Sequence, residues 1–274
     1  MEPVHFVLDF DGVLTDRHHR LDNRTLELLL KLAKKGHRVD IASGRSMRFL
    51  KKNLLFPLQK RLHFNVPVLD RFVFNAENGL EVLRFKNGKK RVVEVWGMGV
   101  DPAEMAKLRV IIEKKRFRTL TDENEKHHML SLFAFRDKMA PQLWKKIQPE
   151  MDEAEALLVP LVQKIPNTQL RRGEYYLDVV NQRAEKHFVG VRIIAEEQKE
   201  ASYVIVGDSP SDLLLAQPFN SRKKKYRFFF VGDPAKLSPK TIRKIAGLRP
   251  PAVRFSKERY NDGTRRILES FLKK

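Results

Sequence analysis

The apolar positions of the chain follow two alternating patterns. Short, nearly continuous apolar runs of strand length recur at HFVLDF (5–10), RVDIAS (38–43), RFVFNAENG (71–79), YVIVGDS (203–209) and YRFFFVGD (226–233). Between and after them lie segments with helical periodicity, which begin near residues 22, 46, 185, 211, 239 and 263. Strands without polar alternation, separated by helices, are typical of a parallel sheet that is covered on both faces. The sequence therefore predicts a doubly wound α/β core.

The middle of the chain departs from this alternation. It contains a helical pattern near 102–115, the strand-like run LSLFAF (130–135), a long helical pattern near 150–163 and the strand-like run EYYLDVV (174–180). This mixture predicts a separate α+β unit inserted into the core. We place the insertion at residues 84–181 and the core at residues 1–83 and 182–274. KNGKK at 86–90 predicts a hairpin turn.

Composition limits the class of protein. The 274 residues include no cysteine, which excludes disulfide bonds and thiolate chemistry. No window approaches the roughly 18 consecutive apolar residues that a membrane span needs. The first strand begins within a few residues of the N-terminus, which leaves no room for a secretory signal. We therefore expect a cytoplasmic protein without a membrane partner, and no feature of the sequence indicates an oligomeric state.

Polar side chains collect at the expected carboxyl ends of the strands, where doubly wound sheets bind their ligands. They are Asp9 and Asp11 after the first strand, Ser43 after the second, and Asp208 and Asp212 after the strand at 203–207. Several carboxylates at one edge repel each other, and a divalent cation with oxygen ligands relieves that repulsion. Because Mg²⁺ characteristically takes one or two carboxylates together with a substrate phosphate, the pattern predicts a magnesium site.

The same edge carries groups suited to phosphoryl transfer. Lys186, the Ser43 hydroxyl and the backbone N–H groups of the Gly44 turn are suited to hold phosphate oxygens. Asp9 is placed to attack phosphorus and form an aspartyl-phosphate. Asp11 would protonate the leaving oxygen, for which it must first be protonated, and would later deprotonate the hydrolytic water. Structural roles stay open for two of these residues, Ser43 as a helix N-cap and Lys186 as a surface lysine.

Four motifs in order give the chain a family resemblance. DFDGVLTD (9–16), the serine of ASGRS (42–46), Lys186 and GDSPSD (207–212) resemble the four motifs of the haloacid dehalogenase superfamily of phosphohydrolases. The 22-residue step from Lys186 to Asp208 is similar to that of subfamily IIB, which has a large α/β cap and includes sugar-phosphate phosphatases and the Cof-like group. NAENGLEV (75–82) and NDGTRRILESFL (261–272) also resemble that group, so the resemblance covers both halves of the core.

The resemblance implies roles for the carboxylates. Asp9 would be the nucleophile and a Mg²⁺ ligand. Asp11 would be the acid/base and would offer its backbone carbonyl to the metal. Asp208 would be a further ligand, and Asp212 a ligand or the support of one. The presence of both Asp9 and Asp11 favours a phosphatase, because the dehalogenase and phosphonatase branches lack the second aspartate.

The resemblance also implies that Ser43 and Lys186 bind the transferring phosphoryl group. Two positions depart from the family pattern. His187 follows Lys186 where these caps usually have glycine, and Ser211 precedes Asp212 where Cof-like members often have asparagine.

Substrate selection is assigned to residues near or within the insertion. Arg171 and Arg172 lie in the insertion and would face an anionic or polyhydroxylated substrate, with a role as ordinary surface residues left open. Asn78 would line the hinge between core and cap, or would cap a turn with Gly79.

The charge adds a second question. Lys and Arg outnumber Asp and Glu by 54 to 34, a net charge of +20 that favours acidic partners. Basic clusters at Lys34–Lys35 and at 222–227 (RKKKYR) precede strands and so lie at the sheet edge opposite the carboxylates. They form either a solvated basic surface or a site for nonspecific nucleic-acid binding.

Three functional hypotheses follow. The first is a Mg²⁺-dependent phosphatase of a small phosphorylated metabolite, in particular a sugar phosphate. The second is a phosphatase of nucleotides or polynucleotide ends. The third is a basic module that docks nucleic acid or protein on the same fold. The intact pair of Asp9 and Asp11 argues against the third.

Overall fold

The computed structural model describes residues 3–16, 20–62, 66–94, 99–123, 125–134, 140–196, 201–247 and 253–273. The chain forms two compact units. The core unit consists of Met1–Glu94 and Glu185–Lys274, and the second unit is Val95–Ala184. Among the helices that are described, none combines the length and the hydropathy that crossing a bilayer requires.

The core unit is built on an eight-stranded sheet. Its strands are β1 (Val4–Asp9), β2 (Arg38–Ala42), β3 (Phe72–Ala76), β4 (Glu81–Lys86), β5 (Lys89–Glu94), β10 (Ser202–Gly207), β11 (Tyr226–Phe230) and β12 (Val253–Phe255). Their spatial order is β12-β11-β10-β1-β2-β3-β4-β5. The first six strands in this order are parallel, and the β4–β5 hairpin is antiparallel.

Helices connect the strands of the core unit. They are α1 (Asn23–Lys34), α2 (Met47–Leu50), α3 (Phe56–Arg61), α4 (Val66–Leu69), α7 (His187–Ala195), α8 (Leu213–Ser221), α9 (Pro239–Ala246) and α10 (Tyr260–Leu272). A π-helical segment, Lys51–Leu55, joins α2 to α3. Asp22 caps α1 by accepting a hydrogen bond from the backbone N–H of Thr25.

The parallel strands are buried on both faces, and alternate side chains of one strand enter different apolar clusters. Phe6 and Leu8 of β1 pack with residues of α1 and α10, whereas Val7 packs with residues of α7 and α8. This is the arrangement that near-continuous apolar runs predict. The prediction of a doubly wound α/β core is therefore confirmed.

The second unit has an antiparallel sheet of its own. Its strands are β6 (Thr121–Asp122), β7 (Leu130–Phe133), β8 (Thr168–Arg172) and β9 (Tyr176–Asn181), in the order β6-β7-β9-β8. The helices α5 (Pro102–Lys115) and α6 (Ile147–Val162) share one apolar cluster with β7 and β9, and Leu170 of β8 packs against it.

The boundaries of the units differ from the sequence analysis, which began the insertion at residue 84 and ended it at residue 181. The first boundary falls after Glu94 and the second after Ala184. The reason is the hairpin at 81–94. Asn87 and Gly88 adopt positive φ angles of 50° and 74°, and β4 pairs with β3, so the hairpin extends the core sheet. The sequence of a short hairpin predicts its two strands, but it does not predict the sheet with which they pair.

A buried charge network ties α7 to the sheet. The Asp40 carboxylate, on β2, accepts hydrogen bonds from Arg38 Nε at 2.8 Å and Arg192 Nη2 at 3.2 Å, and its Oδ2 lies 2.5 Å from His5 Nε2. Burial alone would raise the pKa of the Asp40 carboxyl, but His5, Arg38 and Arg192 hold that pKa well below its usual range. The network therefore fixes the helix whose first turn follows Lys186.

Candidate active site

Three carboxylates from distant parts of the chain meet at the carboxyl edge of the parallel strands. Asp9 ends β1, and Asp208 and Asp212 follow β10, the neighbouring strand. One oxygen of each carboxylate lies within 4.8 Å of the other two. Gly12 allows this approach, because its φ is +71° and a Cβ there would lie 2.2 Å from Asp208 Oδ2. The two loops thus contact each other at a position that only glycine fits.

Lys186 provides the positive charge of the cluster. Its Nζ donates hydrogen bonds to Asp9 Oδ1 at 2.7 Å and to Asp212 Oδ1 at 2.6 Å. The side chains of Lys186, Asp9 and Asp212 are 12%, 7% and 0% exposed, so these ion pairs are largely shielded from water. Lys186 immediately precedes α7. Because its side chain is buried and paired with two carboxylates, it is not a freely solvated surface lysine.

Burial and crowding change the protonation of this cluster. Burial, together with Asp212 and Asp208, raises the pKa of Asp9 well above its usual value, although Lys186 opposes the shift. Burial and the carboxylates of Asp212 and Asp11 raise the pKa of Asp208 to about 7. Although burial alone would lower it, the pKa of Lys186 is raised by Asp212 and Asp9. One ammonium does not balance these acids, and a divalent cation among the carboxylate oxygens would relieve the remaining repulsion.

Asp212 also holds the loop that carries Asp208. Its Oδ2 accepts hydrogen bonds from the backbone N–H groups of Asp208 at 3.0 Å and Ser209 at 2.9 Å, and from Ser209 Oγ at 2.8 Å. Oδ1 accepts from Lys186. Both oxygens are thus engaged within the protein. This arrangement agrees with the supporting role that the sequence analysis left open for Asp212, whereas Asp9 and Asp208 offer their oxygens more directly to a cation.

Asp11 has a partner that the sequence analysis did not assign. Arg45 Nε donates to Asp11 Oδ2 at 2.9 Å, and Arg45 Nη2 donates to Asp11 Oδ1 at 3.2 Å. This two-point pairing favours the ionised carboxylate, whereas the acid role predicted for Asp11 needs a protonated carboxyl group. The Arg45 guanidinium also lies 5.0 Å from the centre of the Phe49 ring. Arg45 belongs to the quoted ASGRS motif, but the sequence did not reveal which carboxylate it meets.

Ser43 and Gly44 form the loop after β2. Ser43 is buried, its backbone N–H donates to Asn75 O at 2.9 Å, and its Oγ accepts from the Arg45 N–H at 3.1 Å. The N-cap of α2 is Ser46, so Ser43 is not required for that role. A Cβ at Gly44 would lie 3.5 Å from Asn78 Oδ1, which places Asn78 beside the predicted phosphate loop.

The turn at Glu77–Gly79 is hydrogen-bonded to the loop that carries Ser43 and Gly44. Its three residues have φ angles of 48°, 60° and 95°, a left-handed run that is costly for the two residues with side chains. In this conformation the backbone N–H of Glu77 donates to Arg45 O, and that of Asn78 donates to Ser43 O, both at 2.9 Å. A Cβ at Gly79 would lie 2.8 Å from Val189 Cγ2 on α7. The turn therefore contacts both the Ser43 loop and the helix beside Lys186.

Gly79→Ala is expected to lower both stability and catalytic efficiency. The new methyl group would be strained at φ +95° and would push against Val189, which moves α7 and the Ser43 loop together. We expect a loss of about 1–3 kcal/mol in the free energy of unfolding and at least a roughly tenfold lower kcat/KM. Gly36→Ala is the matched control, because Gly36 has φ +88° and open space around its Cβ position. Urea unfolding and steady-state kinetics of both variants test this; equal kcat/KM values would contradict it.

The two arginines predicted for substrate selection do not act together. Arg172 Nη1 pairs with Glu155 and Asp152 of α6 at 2.5 and 2.6 Å, and Arg172 Nη2 donates to Gln148 at 2.9 Å. Arg171 Nη1 instead donates to Ala184 O at 3.0 Å. Neighbouring strand residues point to opposite faces of a sheet, so the alternation of β8 separates them. Their role in substrate selection stays a prediction.

The core unit thus has a doubly wound α/β fold with an acidic cluster at its strand ends, which is a candidate metal site. A family model described as haloacid dehalogenase-like hydrolase matches residues 6–94. This part of the chain is therefore similar to the family that its motifs resemble. No curated protein matches the chain.

Solved structures share the fold across the length of the chain. The trehalose-6-phosphate phosphatase C-terminal domain of C. albicans has a TM-score of 0.69 at 15% identity and covers 99% of this chain and 93% of its own. A haloacid dehalogenase-like hydrolase of Bacteroides thetaiotaomicron has a TM-score of 0.62 at 17% identity, with coverages of 98% and 100%. Trehalose-6-phosphate phosphatase of Aspergillus fumigatus has a TM-score of 0.57 at 16% identity, with coverages of 99% and 93%.

Proposed function

We propose that this protein is a Mg²⁺-dependent phosphatase that hydrolyses a small phosphorylated metabolite, in particular a sugar phosphate, through an aspartyl-phosphate on Asp9. The observation that carries the proposal is the contact of the Asp9 carboxylate with the Lys186 ammonium at 2.7 Å, together with its position within 4.8 Å of the carboxylates of Asp208 and Asp212. A cytoplasmic location, expected from the sequence, is part of the same proposal.

The proposed reaction has two steps, both carried out by residues of the core unit. In the first, a carboxylate oxygen of Asp9 bonds to phosphorus, the bond from phosphorus to the leaving oxygen breaks, and Asp11 gives its proton to that oxygen. In the second, Asp11 takes a proton from water as the water oxygen attacks phosphorus. The bond between phosphorus and Asp9 then breaks and releases inorganic phosphate. Ser43 and Lys186 hold the phosphoryl oxygens throughout.

The Arg45–Asp11 pair bears on the first step. Because Arg45 binds both oxygens of Asp11, the carboxyl group must leave at least one of these hydrogen bonds to carry a proton. A phosphate dianion is a strong acceptor for a guanidinium. Arrival of the substrate phosphate would therefore draw Arg45 toward the phosphoryl oxygens and release Asp11 for acid catalysis.

The proposed metal would be held mainly by Asp9 and Asp208, with Asp212 orienting both the Asp208 loop and Lys186. When bound, a divalent cation supplies charge neutralisation that lets a phosphate approach a carboxylate nucleophile. The raised pKa of Asp208, about 7, and of Asp9 supports this assignment, since it reflects acids packed more closely than one lysine balances.

Sugar phosphates are the preferred substrate class because solved structures with the same fold include proteins named trehalose-6-phosphate phosphatases. The proposal is tested with a panel of sugar phosphates, nucleotides and 5′-phosphorylated oligonucleotides, each assayed for phosphate release with Mg²⁺ and with EDTA. We expect release from sugar phosphates with Mg²⁺ and none with EDTA. Preference for nucleotides or oligonucleotide ends would replace the substrate assignment. Equal activity in EDTA would overturn the metal requirement.

A further inference from the structure

The positive charge of the chain is concentrated in one unit. Of the net charge of +20, the core unit carries +18, from 39 Lys and Arg residues against 21 Asp and Glu, and the second unit carries +2. Several cations of the second unit are paired, including Lys107 with Glu104 and Lys115 with Glu153. The excess charge therefore belongs to the core unit, although the proposed reaction uses few of its cations.

A groove of about 780 Å³ runs between α1 and α10 of the core unit. The charged residues that line it include Arg24, Lys31, Lys34, Lys35 and Lys273, together with Glu27 and Glu269. Glu269 is paired with Arg24, and Lys35 Nζ donates to Leu272 O at 2.7 Å across the groove. The groove is thus basic, because five of its lining residues are cationic and two are anionic. Within the described residues, the contact of Lys35 across the groove is made to a backbone carbonyl and not to a carboxylate.

The basic surface continues from the groove onto the neighbouring strands. The Arg227 guanidinium, on β11, lies 4.8 Å from the centre of the Phe271 ring on α10. Arg254 of β12 lies 6.0 Å from the centre of the Phe229 ring. Burial, and to a smaller extent the positive charge of Arg254, lower the pKa of Arg227.

We call this surface the basic band and define it by six residues: Lys31, Lys34, Lys35, Lys273, Arg227 and Arg254. Within the described part of the chain, none of the six forms an ion pair with a carboxylate, and all except the half-buried Arg227 are exposed. Lys34 and Lys35 precede β2 and Lys273 follows α10, so the band reaches the edge of the sheet opposite Asp9 and Asp208.

We propose that the basic band binds the phosphate backbone of a nucleic acid without reading its sequence. A nucleic-acid strand presents about one negative charge per 3.4 Å, and a row of cations without carboxylate partners matches such a repeated charge. The band lies apart from the proposed catalytic residues, so this inference does not depend on the phosphatase assignment.

The chemistry of the band favours nucleic acid over other acidic partners. Stable attachment to an anionic membrane needs apolar side chains or lipid in addition to basic ones, and a protein partner needs buried apolar or aromatic anchors. In the band, Phe271 is buried beneath Arg227, Leu28 is buried and Leu272 is half-buried. Charge is therefore the main means of recognition that the band offers.

The test uses the full-length protein and a 20-nucleotide single-stranded RNA of mixed sequence with a fluorophore at its 3′ end. The 5′ end carries a hydroxyl and the buffer contains EDTA, so that neither the phosphatase reaction nor its failure affects the readout. Fluorescence anisotropy is measured between 50 and 200 mM salt. The band variant is Lys31→Gln/Lys34→Gln/Lys35→Gln. The control is Lys114→Gln/Lys145→Gln/Lys164→Gln, which removes three exposed cations from the second unit.

We expect the wild type to bind and to weaken steeply with salt. The band variant should bind at least about tenfold more weakly, and its slope of log affinity against log salt should fall by about 2, because each lost contact with a single strand removes about 0.7. The control variant should stay within about twofold of the wild type. Arg254→Gln/Lys273→Gln, at the other end of the band, should also weaken binding.

Three results would overturn the proposal. They are the absence of salt-sensitive binding by the wild type, equal losses in the band and control variants, and binding to phosphatidylserine vesicles without binding to RNA. Equal thermal midpoints of the variants show that they are folded. If the band variant does not fold, the RNA affinity of the Arg254→Gln/Lys273→Gln variant decides the outcome.

Discussion

Asp9→Asn is expected to abolish phosphate release from the best substrate of the panel, with kcat lower by about 10⁴-fold or more. The amide keeps the size of the side chain but is a poor nucleophile toward phosphorus. It also removes one negative charge beside Lys186, whose Nζ lies 2.7 Å from Asp9 Oδ1. Steady-state assays with Mg²⁺ measure the loss, and thermal melting checks that the variant is folded.

Asp16→Asn is the matched control for this substitution. Asp16 follows the same strand, but its Oδ1 accepts a hydrogen bond from the backbone N–H of Arg20 at 2.9 Å, and it is not part of the carboxylate cluster. We expect its kcat to stay within about threefold of the wild type. Turnover by Asp9→Asn within tenfold of the wild type would refute the covalent mechanism.

Lys186→Met has the largest expected effect on stability. The substitution leaves the buried Asp9 and Asp212 without their shared ammonium group, and removal of one partner from a buried ion pair costs about 3–5 kcal/mol. We expect a loss of this size in the free energy of unfolding at pH 7, together with the loss of turnover. The deficit should shrink as the pH is lowered, because protonation neutralises the carboxylates left without a partner. Urea unfolding at several pH values measures both effects.

Two further variants separate charge from general damage. Lys186→Arg keeps a positive charge at the site and should retain most of the stability, although its planar guanidinium does not reproduce the compact ammonium that contacts both Asp9 and Asp212. Lys115→Met removes an exposed ion pair with Glu153 and should change the free energy of unfolding by less than about 1 kcal/mol. A loss of under 1 kcal/mol in Lys186→Met would show that its ion pairs do not stabilise the core.

The sequence was most informative where backbone direction determines position. Parallel strands bring their carboxyl ends to one edge, so the sequence alone predicts that Asp9, Asp208 and Asp212 lie together. The apolar runs likewise predicted a sheet covered on both faces. Lys186 was expected near this edge because it begins the helix that precedes β10, and the structure brings its ammonium group to the carboxylates.

The sequence was less informative where a contact depends on side-chain direction or on a short turn. The pairing of Arg45 with Asp11 requires the exact path of two loops, which no spacing rule describes. The hairpin at 81–94 was assigned to the insertion from residue 84 onward, because a pair of strands does not indicate which sheet it extends. The separation of Arg171 from Arg172 was predictable in principle, since adjacent residues of a strand face opposite sides.

The parallel course of the strands gives the core unit an electrical polarity. One end of the strands gathers the acids around Asp9 and Asp208, and the other gathers lysines and arginines beyond α1 and α10. On a negatively charged support the core unit should therefore adsorb by its cationic end and leave the reactive end facing the solution. A cation-exchange matrix would thus immobilise the protein in one orientation without chemical coupling.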